Sequence, residues 1–319
     1  MALYHSIVDT IGRTPIVRLN RVAPAHATVY AKIESFNPGG SVKDRLALAI
    51  VLDAEQRGVL APGDTIVEAT SGNTGVALAM VAAARGYRFV AVMTETFSIE
   101  RRKLMRAYGA RVILTPAAAR TTGAVAKARE LAERHGWFLA DQFANPANPA
   151  YHRSTTGGEV IQDFAGRRLD CFVSGWGTGG TFTGVGEVLR VARPEVRIIA
   201  AEPASASLLG GAEWKPHKVQ GWTPDFLPAV LNRELADEVL TVSDEEAIAT
   251  ARRLAIEEGI FVGISAGATA AVALRVAQRA PEGSVVLTVF PDTGERYLST
   301  ALFEGVNEGS DDEWLASLG

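Results

Sequence analysis

Short apolar runs alternate with longer amphipathic stretches along most of the chain. The apolar runs are typical of buried β-strands and lie at 11–19, 28–33, 65–69, 89–93, 112–114, 138–140, 171–174, 196–202 and 284–290. Stretches with helical spacing lie at 46–52, 76–84, 98–108, 124–134, 158–164, 184–191, 244–258 and 266–279. Strands that alternate with helices form parallel sheets with helices on both faces, so the pattern predicts an α/β fold.

Two segments interrupt this alternation. Residues 203–240 show no clear periodicity, so no element is predicted there. The run Asn145-Pro146-Ala147-Asn148-Pro149 is rich in turn-forming residues, and we expect it to continue neither a strand nor a helix. Because 319 residues are many for one core, this run marks the predicted crossover between two domains.

Composition and charge narrow the class of ligand. The net charge is −4 and no basic cluster is present, so a small molecule is expected rather than nucleic acid or an anionic membrane. The first residues lack the blocks of a signal peptide, and no apolar run reaches the ~20 residues that span a bilayer, which predicts a cytoplasmic protein. The five histidines show no ligand spacing, so no metal site is predicted. The single cysteine, Cys171, is expected in a buried strand.

The segment 35–45 places a lysine in the first turn of a predicted helix. Pro38-Gly39-Gly40 forms a tight turn, Ser41 is suited to cap the helix, and Lys43 follows. Because the helix dipole and burial both disfavour the cation, we expect a lowered pKa for Lys43, as a Schiff-base lysine requires. A phosphate-binding P-loop is excluded because Val42 stands where that motif has glycine. The alternative is an ordinary solvated lysine.

Three predicted strand-to-helix loops carry unusual chemistry, and in a parallel sheet such loops meet at the carboxyl edge. The loop 70–75 (Thr-Ser-Gly-Asn-Thr-Gly) offers N–H groups and hydroxyls suited to a carboxylate. The loop 175–181 (Gly-Trp-Gly-Thr-Gly-Gly-Thr) contains no cation and would hold a phosphate with neutral donors at a helix N-terminus. The loop 263–268 offers the neutral hydroxyl of Ser265. Each loop alone is equally compatible with close glycine packing and helix capping.

The loop 175–181 also matches a second class of protein. Gly175, Gly177 and Gly180 have the spacing G-x-G-x-x-G after a predicted strand, and Glu202 ends the next strand. Dinucleotide-binding folds place a glycine-rich turn and an acidic residue in this way. An NAD-dependent dehydrogenase is therefore the alternative from another class.

Several motifs together resemble those of the cysteine synthases, the O-acetylserine sulfhydrylases, from residue 11 to about 303. They are Asn37-Pro38-Gly39-Gly40-Ser41-Val42-Lys43-Asp44-Arg45, the loop 70–75, Gly177-Thr178-Gly179-Gly180-Thr181, Gly263-Ile264-Ser265 and Pro291-Asp292-Thr293-Gly294-Glu295-Arg296-Tyr297, with support from 98–103 and 216–221. The resemblance implies a pyridoxal-phosphate enzyme of the tryptophan-synthase-like fold, usually a homodimer. Each of its two domains is an open, twisted, mostly parallel sheet flanked by helices. Residues 1–40 and 151–319 would form the larger, phosphate-binding domain, and 41–150 the smaller, mobile domain with the substrate carboxylate loop.

The resemblance also implies a role for each motif residue. Lys43 would form the Schiff base, Asn73 would bind the ring hydroxyl of the cofactor, and Ser265 would bind the ring nitrogen. The phosphate would be held by Gly177, Thr178, Gly179, Gly180 and Thr181. The substrate would be bound by Thr70, Ser71, Gly72, Asn73, Thr74 and Gln142.

The implied reaction is β-replacement, in which O-acetyl-L-serine and sulfide give L-cysteine and acetate through an aminoacrylate intermediate. Lys43 would be displaced by the substrate and would then remove its α-proton. Alternatives within the fold are an O-phosphoserine sulfhydrylase, a cystathionine β-synthase-like enzyme, a serine or threonine deaminase and a non-catalytic member. Relatives bind the C-terminal tail of a serine acetyltransferase, so this tail is an expected partner.

Two departures from the family pattern concern the substrate side. Trp176 replaces a smaller apolar residue, and Gly221-Trp222-Thr223-Pro224-Asp225-Phe226 replaces the more familiar Gly-Ile-Gly-Ala-Gly-Phe. Relatives that prefer O-phosphoserine have an arginine shortly after the glycine that corresponds to Gly221. Here no cation follows and Asp225 adds an anion, so we expect O-acetylserine to be preferred.

Overall fold

The computed structural model describes residues 3–70, 72–95, 99–306 and 308–318. The strands are β1 (Ile16–Leu19), β2 (Thr28–Ile33), β3 (Thr65–Ala69), β4 (Arg88–Thr94), β5 (Arg111–Thr115), β6 (Phe138–Leu139), β7 (Cys171–Gly175), β8 (Arg197–Pro203), β9 (Glu238–Val242) and β10 (Val285–Phe290). The α-helices are α1 (Lys43–Gln56), α2 (Asn73–Arg85), α3 (Ile99–Ala107), α4 (Arg120–His135), α5 (Ala147–His152), α6 (Gly158–Asp163), α7 (Gly180–Ala192), α8 (Asp244–Arg253), α9 (Ile264–Arg279) and α10 (Asp312–Ser317). Ser71, which is expected to bind substrate, and Ser98, which begins a supporting motif, lie outside the described residues.

The strands form two sheets, and the predicted α/β fold class is confirmed. The larger sheet has the order β1-β2-β10-β7-β8-β9, in which only the β1–β2 pair is antiparallel among the described strands. The smaller sheet has the order β5-β4-β3-β6 and its pairs are parallel. Parallel neighbours need crossover connections, and these are the helices that the alternating pattern predicts.

Helices cover both faces of each sheet. Apolar residues of α9 pack against one face of the larger sheet, and those of α7 pack against the other. On the smaller sheet, α1 and α2 share one core, and α4 forms a second core on the opposite face. Every residue of β3 is buried, as expected for a central strand between two helical layers.

Three local predictions differ from the structure. The run 145–149 does not interrupt the helices, because α5 begins at Ala147 with Pro146 as its N-cap. Proline is tolerated there because first-turn N–H groups have no partner within the helix. The predicted helix 244–258 is α-helical only to Arg253 and continues as a π-helical turn. β9 was not predicted because it is half-buried along most of its length at the sheet edge.

The described residues contain no helix that is long and apolar enough to cross a membrane. Within the same residues, no group of three or more His, Cys, Asp and Glu side chains is arranged to hold a metal ion. Cys171 is free and buried in β7, as predicted.

Candidate active site

Lys43 is the first residue of α1 and lies at the carboxyl end of β10. The N–H of Val42 donates to the carbonyl of Pro291 at 2.8 Å, and Ser41 pairs with Asp292 as an isolated bridge. The hydroxyl of Ser41 accepts the N–H of Lys43 at 3.2 Å. Burial lowers the pKa of Lys43, against the smaller effects of the Asp292 and Glu34 charges. The expected pKa shift is confirmed, and its main cause is desolvation.

A buried ionic cluster anchors the helix that carries Lys43. The guanidinium of Arg45 donates to Glu34 at 2.8 Å and to Glu159 at 2.7 Å. Lys32 pairs with Glu159 at 2.7 Å and donates to the carbonyl of Thr14. Arg45, Lys32 and Glu34 are almost wholly buried. This cluster was not predicted from the sequence, although a lysine inside the apolar run 28–33 was a signal for it.

Two adjoining cavities open beside Lys43. The larger has a volume of about 580 Å³ and is lined by Lys43, by residues of the loop 70–75 and by the segment 214–225. The smaller has a volume of about 50 Å³ and is lined by Lys43, Asn73, the loop 174–182 and Ser265. The three loops singled out in the sequence therefore meet at one place.

The loop 177–181 forms a cradle whose glycines cannot be replaced without collision. A Cβ on Gly177 would lie 2.0 Å from the carbonyl oxygen of Gly221, and one on Gly180 would lie 1.9 Å from Oδ1 of Asn148. Gly179 has φ +89°, a conformation that L side chains rarely adopt. The loop ends at the N-terminus of α7, where free N–H groups and the helix dipole suit a phosphate.

The loop 70–75 is shaped by internal hydrogen bonds. The hydroxyl of Thr70 accepts the N–H groups of Gly72 and Gly75 at 3.2 and 2.8 Å. Thr74 donates to Oε1 of Gln142 at 2.8 Å, and Nε2 of Gln142 donates to the carbonyl of Ala69 at 2.5 Å. Gln142 thus holds this loop in shape. Its contact with a substrate stays a prediction, as do the substrate contacts of the loop.

Asn73 and Ser265 line the smaller cavity together with Lys43. Asn73 begins α2 and lines both cavities together with Lys43. Ser265 is the second residue of α9, is almost fully buried and lines the smaller cavity. The smaller cavity thus presents an amine, an amide and a hydroxyl around the cradle 177–181.

The acidic residue of the dinucleotide pattern is already bound by the protein. Glu202 is completely buried, and its carboxylate accepts hydrogen bonds from the indole of Trp176 at 3.1 Å and the hydroxyl of Ser207 at 2.7 Å. It also accepts the N–H groups of Leu209 and Gly210. No acceptor is left for a ribose, so the dehydrogenase interpretation is wrong. Trp176 has a structural role as a donor to this carboxylate.

The segment 214–225 faces α3 and α4 across the larger cavity. The hydroxyl of Thr122 donates to Oδ2 of Asp225 at 2.9 Å, and the guanidinium of Arg120 lies 5.4 Å from the ring of Trp214. The indole of Trp214 donates to the carbonyl of Thr223 at 2.9 Å. Thr122 and Arg120 of α4 therefore contact this segment across the cavity.

The residues of the site fit pyridoxal phosphate. The cofactor presents an aldehyde, a phosphate, a ring oxygen and a ring nitrogen, for which Lys43, the loop 177–181, Asn73 and Ser265 would be the respective partners. The glycine cradle gives the phosphate backbone donors at close range. The fold and the site thus define an enzyme that holds a phosphorylated aldehyde cofactor on the lysine that begins α1.

Comparisons with known proteins agree with this class. The chain belongs to the pyridoxal-phosphate dependent enzyme family, whose pattern matches residues 7–292, and its cofactor is pyridoxal phosphate. It is 65% identical over 318 residues to the O-ureido-L-serine synthase of Streptomyces lavendulae, covering 100% of this chain and 98% of that protein. It is 50% identical over 299 residues to a cysteine synthase of Staphylococcus aureus, covering 93% and 96%.

Solved structures show the same likeness. The O-ureido-L-serine-bound K43A mutant of O-ureido-L-serine synthase superposes with a TM-score of 0.98 at 65% identity and covers 99% of each chain. A cysteine synthase of Entamoeba histolytica superposes with a TM-score of 0.91 at 38% identity and covers 99% of this chain and 96% of its own. This chain is therefore a pyridoxal-phosphate-dependent β-replacement enzyme of the cysteine synthase family.

Proposed function

We propose that this enzyme makes O-ureido-L-serine by replacing the β-substituent of an O-acylated serine. In that product an oxygen joins Cβ to a ureido nitrogen. Because β-replacement removes the original serine oxygen with the leaving group, this oxygen comes from the incoming nucleophile, the hydroxyl of N-hydroxyurea. With O-acetylserine as donor, the Cβ–O bond to acetate breaks, a Cβ–O bond to hydroxyurea forms, and the hydroxyl proton leaves to solvent. The 65% identity to an O-ureido-L-serine synthase over the full chain supports this product over cysteine.

The observation that carries the proposal is the carboxylate of Asp225 in the wall of the larger cavity. Its Oδ2 accepts from Thr122 at 2.9 Å, whereas its Oδ1 is buried and has no hydrogen-bond partner among the described residues. A buried acceptor without a donor is costly. A ureido group presents several N–H donors and can satisfy this oxygen, whereas sulfide brings no comparable donor. We assign the carboxylate of Asp225, which lines the larger cavity, to the ureido N–H groups.

The residues around Lys43 supply the rest of the chemistry. Bound pyridoxal phosphate acts as an electron sink that stabilises negative charge at the substrate α-carbon. Nζ of Lys43, whose pKa is lowered by burial, would take the α-proton of the substrate. The loop 177–181 would hold the phosphate, and Ser265 would accept or donate at the ring nitrogen without adding charge. The loop 70–75 orients the substrate carboxylate.

The proposal is tested by giving the holoenzyme O-acetylserine with either N-hydroxyurea or sulfide. We expect O-ureido-L-serine, identified by mass spectrometry. We also expect Asp225→Ala to lower kcat/KM for N-hydroxyurea by roughly tenfold, the size of one lost charge-assisted hydrogen bond. The matched control is Thr122→Val, which removes the donor to Oδ2 but keeps the carboxylate, and should change this value by less than about threefold. Formation of cysteine alone would contradict the proposal.

Cysteine synthesis from O-acetylserine and sulfide is the second candidate. It is favoured by the 50% identity to a cysteine synthase and by the shared motifs around Lys43. In either reaction the segment 222–225 offers a phosphorylated donor no cation and one carboxylate, so O-acetylserine should be used in preference to O-phosphoserine. The measurement is kcat/KM for both donors at one fixed nucleophile concentration. Equal use of O-phosphoserine would show that Asp225 does not face the leaving group, or that a basic residue outside this segment supplies the missing charge.

A further inference from the structure

The side-chain amide of Asn73 lies between two side chains of opposite charge. Its Nδ2 donates to Oδ2 of Asp292 at 2.6 Å, and its Oδ1 accepts from the guanidinium of Arg296 at 2.7 Å. Asp292 is completely buried and Arg296 nearly so. Both partners come from the segment that follows β10, far from Asn73 in the sequence.

These two partners fix which way the amide faces. A guanidinium can only donate, and an ionised carboxylate can only accept. A flipped amide would turn its N–H groups toward Arg296 and its oxygen toward Asp292, and both charge-assisted hydrogen bonds would be lost. The orientation of Asn73 is thus determined at both ends.

The partners are themselves held in place. The hydroxyl of Tyr297 donates to the same oxygen of Asp292 at 2.6 Å, and Arg296 also donates to the carbonyl of Gly39 in the turn before Lys43. The backbone of Asp292 pairs with Ser41 in an isolated bridge. Asn73, Lys43 and the segment 291–297 are therefore one connected unit.

An amide nitrogen carries two hydrogens, and only one of those on Nδ2 is used by Asp292. Asn73 lines both cavities with Lys43, so the second hydrogen is available to a ligand there. We propose that Asp292 and Arg296 are positioning residues that make Asn73 a permanent hydrogen-bond donor, never an acceptor, to the ring oxygen of pyridoxal phosphate. A permanent donor stabilises the ionised ring oxygen, so the bound cofactor stays in its yellow form across the working pH range. This inference rests on the cofactor and is independent of which product the enzyme makes.

A direct effect of charge is the competing explanation, because Asp292 also raises the pKa of Lys43. The two explanations predict different directions for the change in the cofactor's ionisation. Asp292→Asn removes a negative charge and Arg296→Gln removes a positive one, so a direct charge effect would move the cofactor's ionisation in opposite directions. Each variant also replaces a side chain that can only accept from Asn73, or only donate to it, by an amide that can do both. If the orientation of Asn73 matters, both variants move the ionisation in the same direction.

The experiment records the absorption spectrum of the holoenzymes between pH 6 and 9, together with cofactor affinity by fluorescence. We expect both variants to shift part of the cofactor from the yellow form to the form that absorbs in the near ultraviolet. We also expect the apparent dissociation constant of the cofactor to rise roughly three- to tenfold in each variant, from the loss of a well-oriented donor. Arg296→Lys keeps a partner that only donates and should retain the yellow form. Opposite spectral shifts in the two charge variants would overturn the proposal.

The Asn73→Ala background provides a second test. If Asp292 acts through Asn73, adding Asp292→Asn to Asn73→Ala should change two quantities by less than about twofold: the fraction of cofactor in the yellow form and the apparent dissociation constant of the cofactor. A change as large as in the wild-type background would show that Asp292 acts directly and would refute its positioning role. This comparison remains decisive even if Arg296→Gln does not fold, because it requires no change at Arg296.

Discussion

Glu68 should make the stability of this enzyme fall as the pH rises. Its carboxyl lies in β3, is almost completely buried, and accepts the backbone and side-chain N–H groups of Gln142 at 3.3 and 3.2 Å. Burial, helped by the charge of Asp141, raises the pKa of Glu68 from 4.5 to about 8. The folded protein therefore keeps a proton on Glu68 at neutral pH, whereas the unfolded chain does not.

The sign and size of the effect follow from this difference. The stabilisation is complete below pH 4.5 and is lost as the pH rises through about 8, because the folded state binds more protons in between. The difference between the two pKa values corresponds to roughly 5 kcal/mol in total, and to roughly 1.5 kcal/mol between pH 6.5 and pH 8. Burial raises the pKa of Asp44 to about 7, so this carboxyl also lowers the free energy of unfolding as the pH rises, mainly at the lower end of this range. His152, whose pKa is lowered from 6.5 to about 3 by burial, is neutral in the folded state but partly protonated in the unfolded chain at pH 6.5, so it opposes the fall by roughly 0.4 kcal/mol, equally in the wild type and in Glu68→Gln.

The assay is urea unfolding of the holoenzyme at a fixed cofactor concentration and several pH values between 6.5 and 8. Between pH 6.5 and pH 8, the free energy of unfolding of Glu68→Gln should fall by roughly 1.5 kcal/mol less than that of the wild type. Glu55→Gln is the matched control: Arg85 lowers the pKa of Glu55, so this carboxylate is ionised in both states and its removal should leave the slope unchanged. Parallel curves for wild type and Glu68→Gln would refute the reasoning.

Three further predictions concern the site and its support. Gly180→Ala should abolish cofactor binding, measured by absorbance, because its Cβ would lie 1.9 Å from an amide oxygen. Gly158→Ala is the control: its Cβ would have no atom within 4 Å, so this variant should bind the cofactor normally. Arg45→Met should lower the free energy of unfolding by roughly 3–5 kcal/mol, because it leaves buried carboxylates without their cationic partner. Removal of the exposed Arg57 side chain in Arg57→Met should lower it by less than about 1 kcal/mol. Borohydride should fix the pyridoxyl group to Lys43 in the wild type, and peptide mass spectrometry should find no fixed group in Lys43→Ala.

The order of strands and helices could be predicted because periodicity is a local property. Buried strands such as β3 and β10 are short apolar runs, and glycines such as Gly179 reveal where the backbone must turn or approach a ligand. The same local signals located Lys43 at the start of a helix. Prediction was poorer where elements are half-buried or irregular, as at β9 and the π-helical turn after Arg253.

Only the tertiary structure decided which residues surround each functional group. The partners of Asn73 are 219 and 223 residues away in the sequence, and no local pattern connects them. Likewise, Glu202 fitted a ribose-binding position by spacing alone, but folding turns it toward Trp176 and Ser207. Local sequence restricts the backbone within a few residues, whereas the protonation, orientation and pairing of buried polar groups depend on contacts between distant segments. The sequence therefore determined the elements and the reactive lysine, and the fold determined which groups hold and tune it.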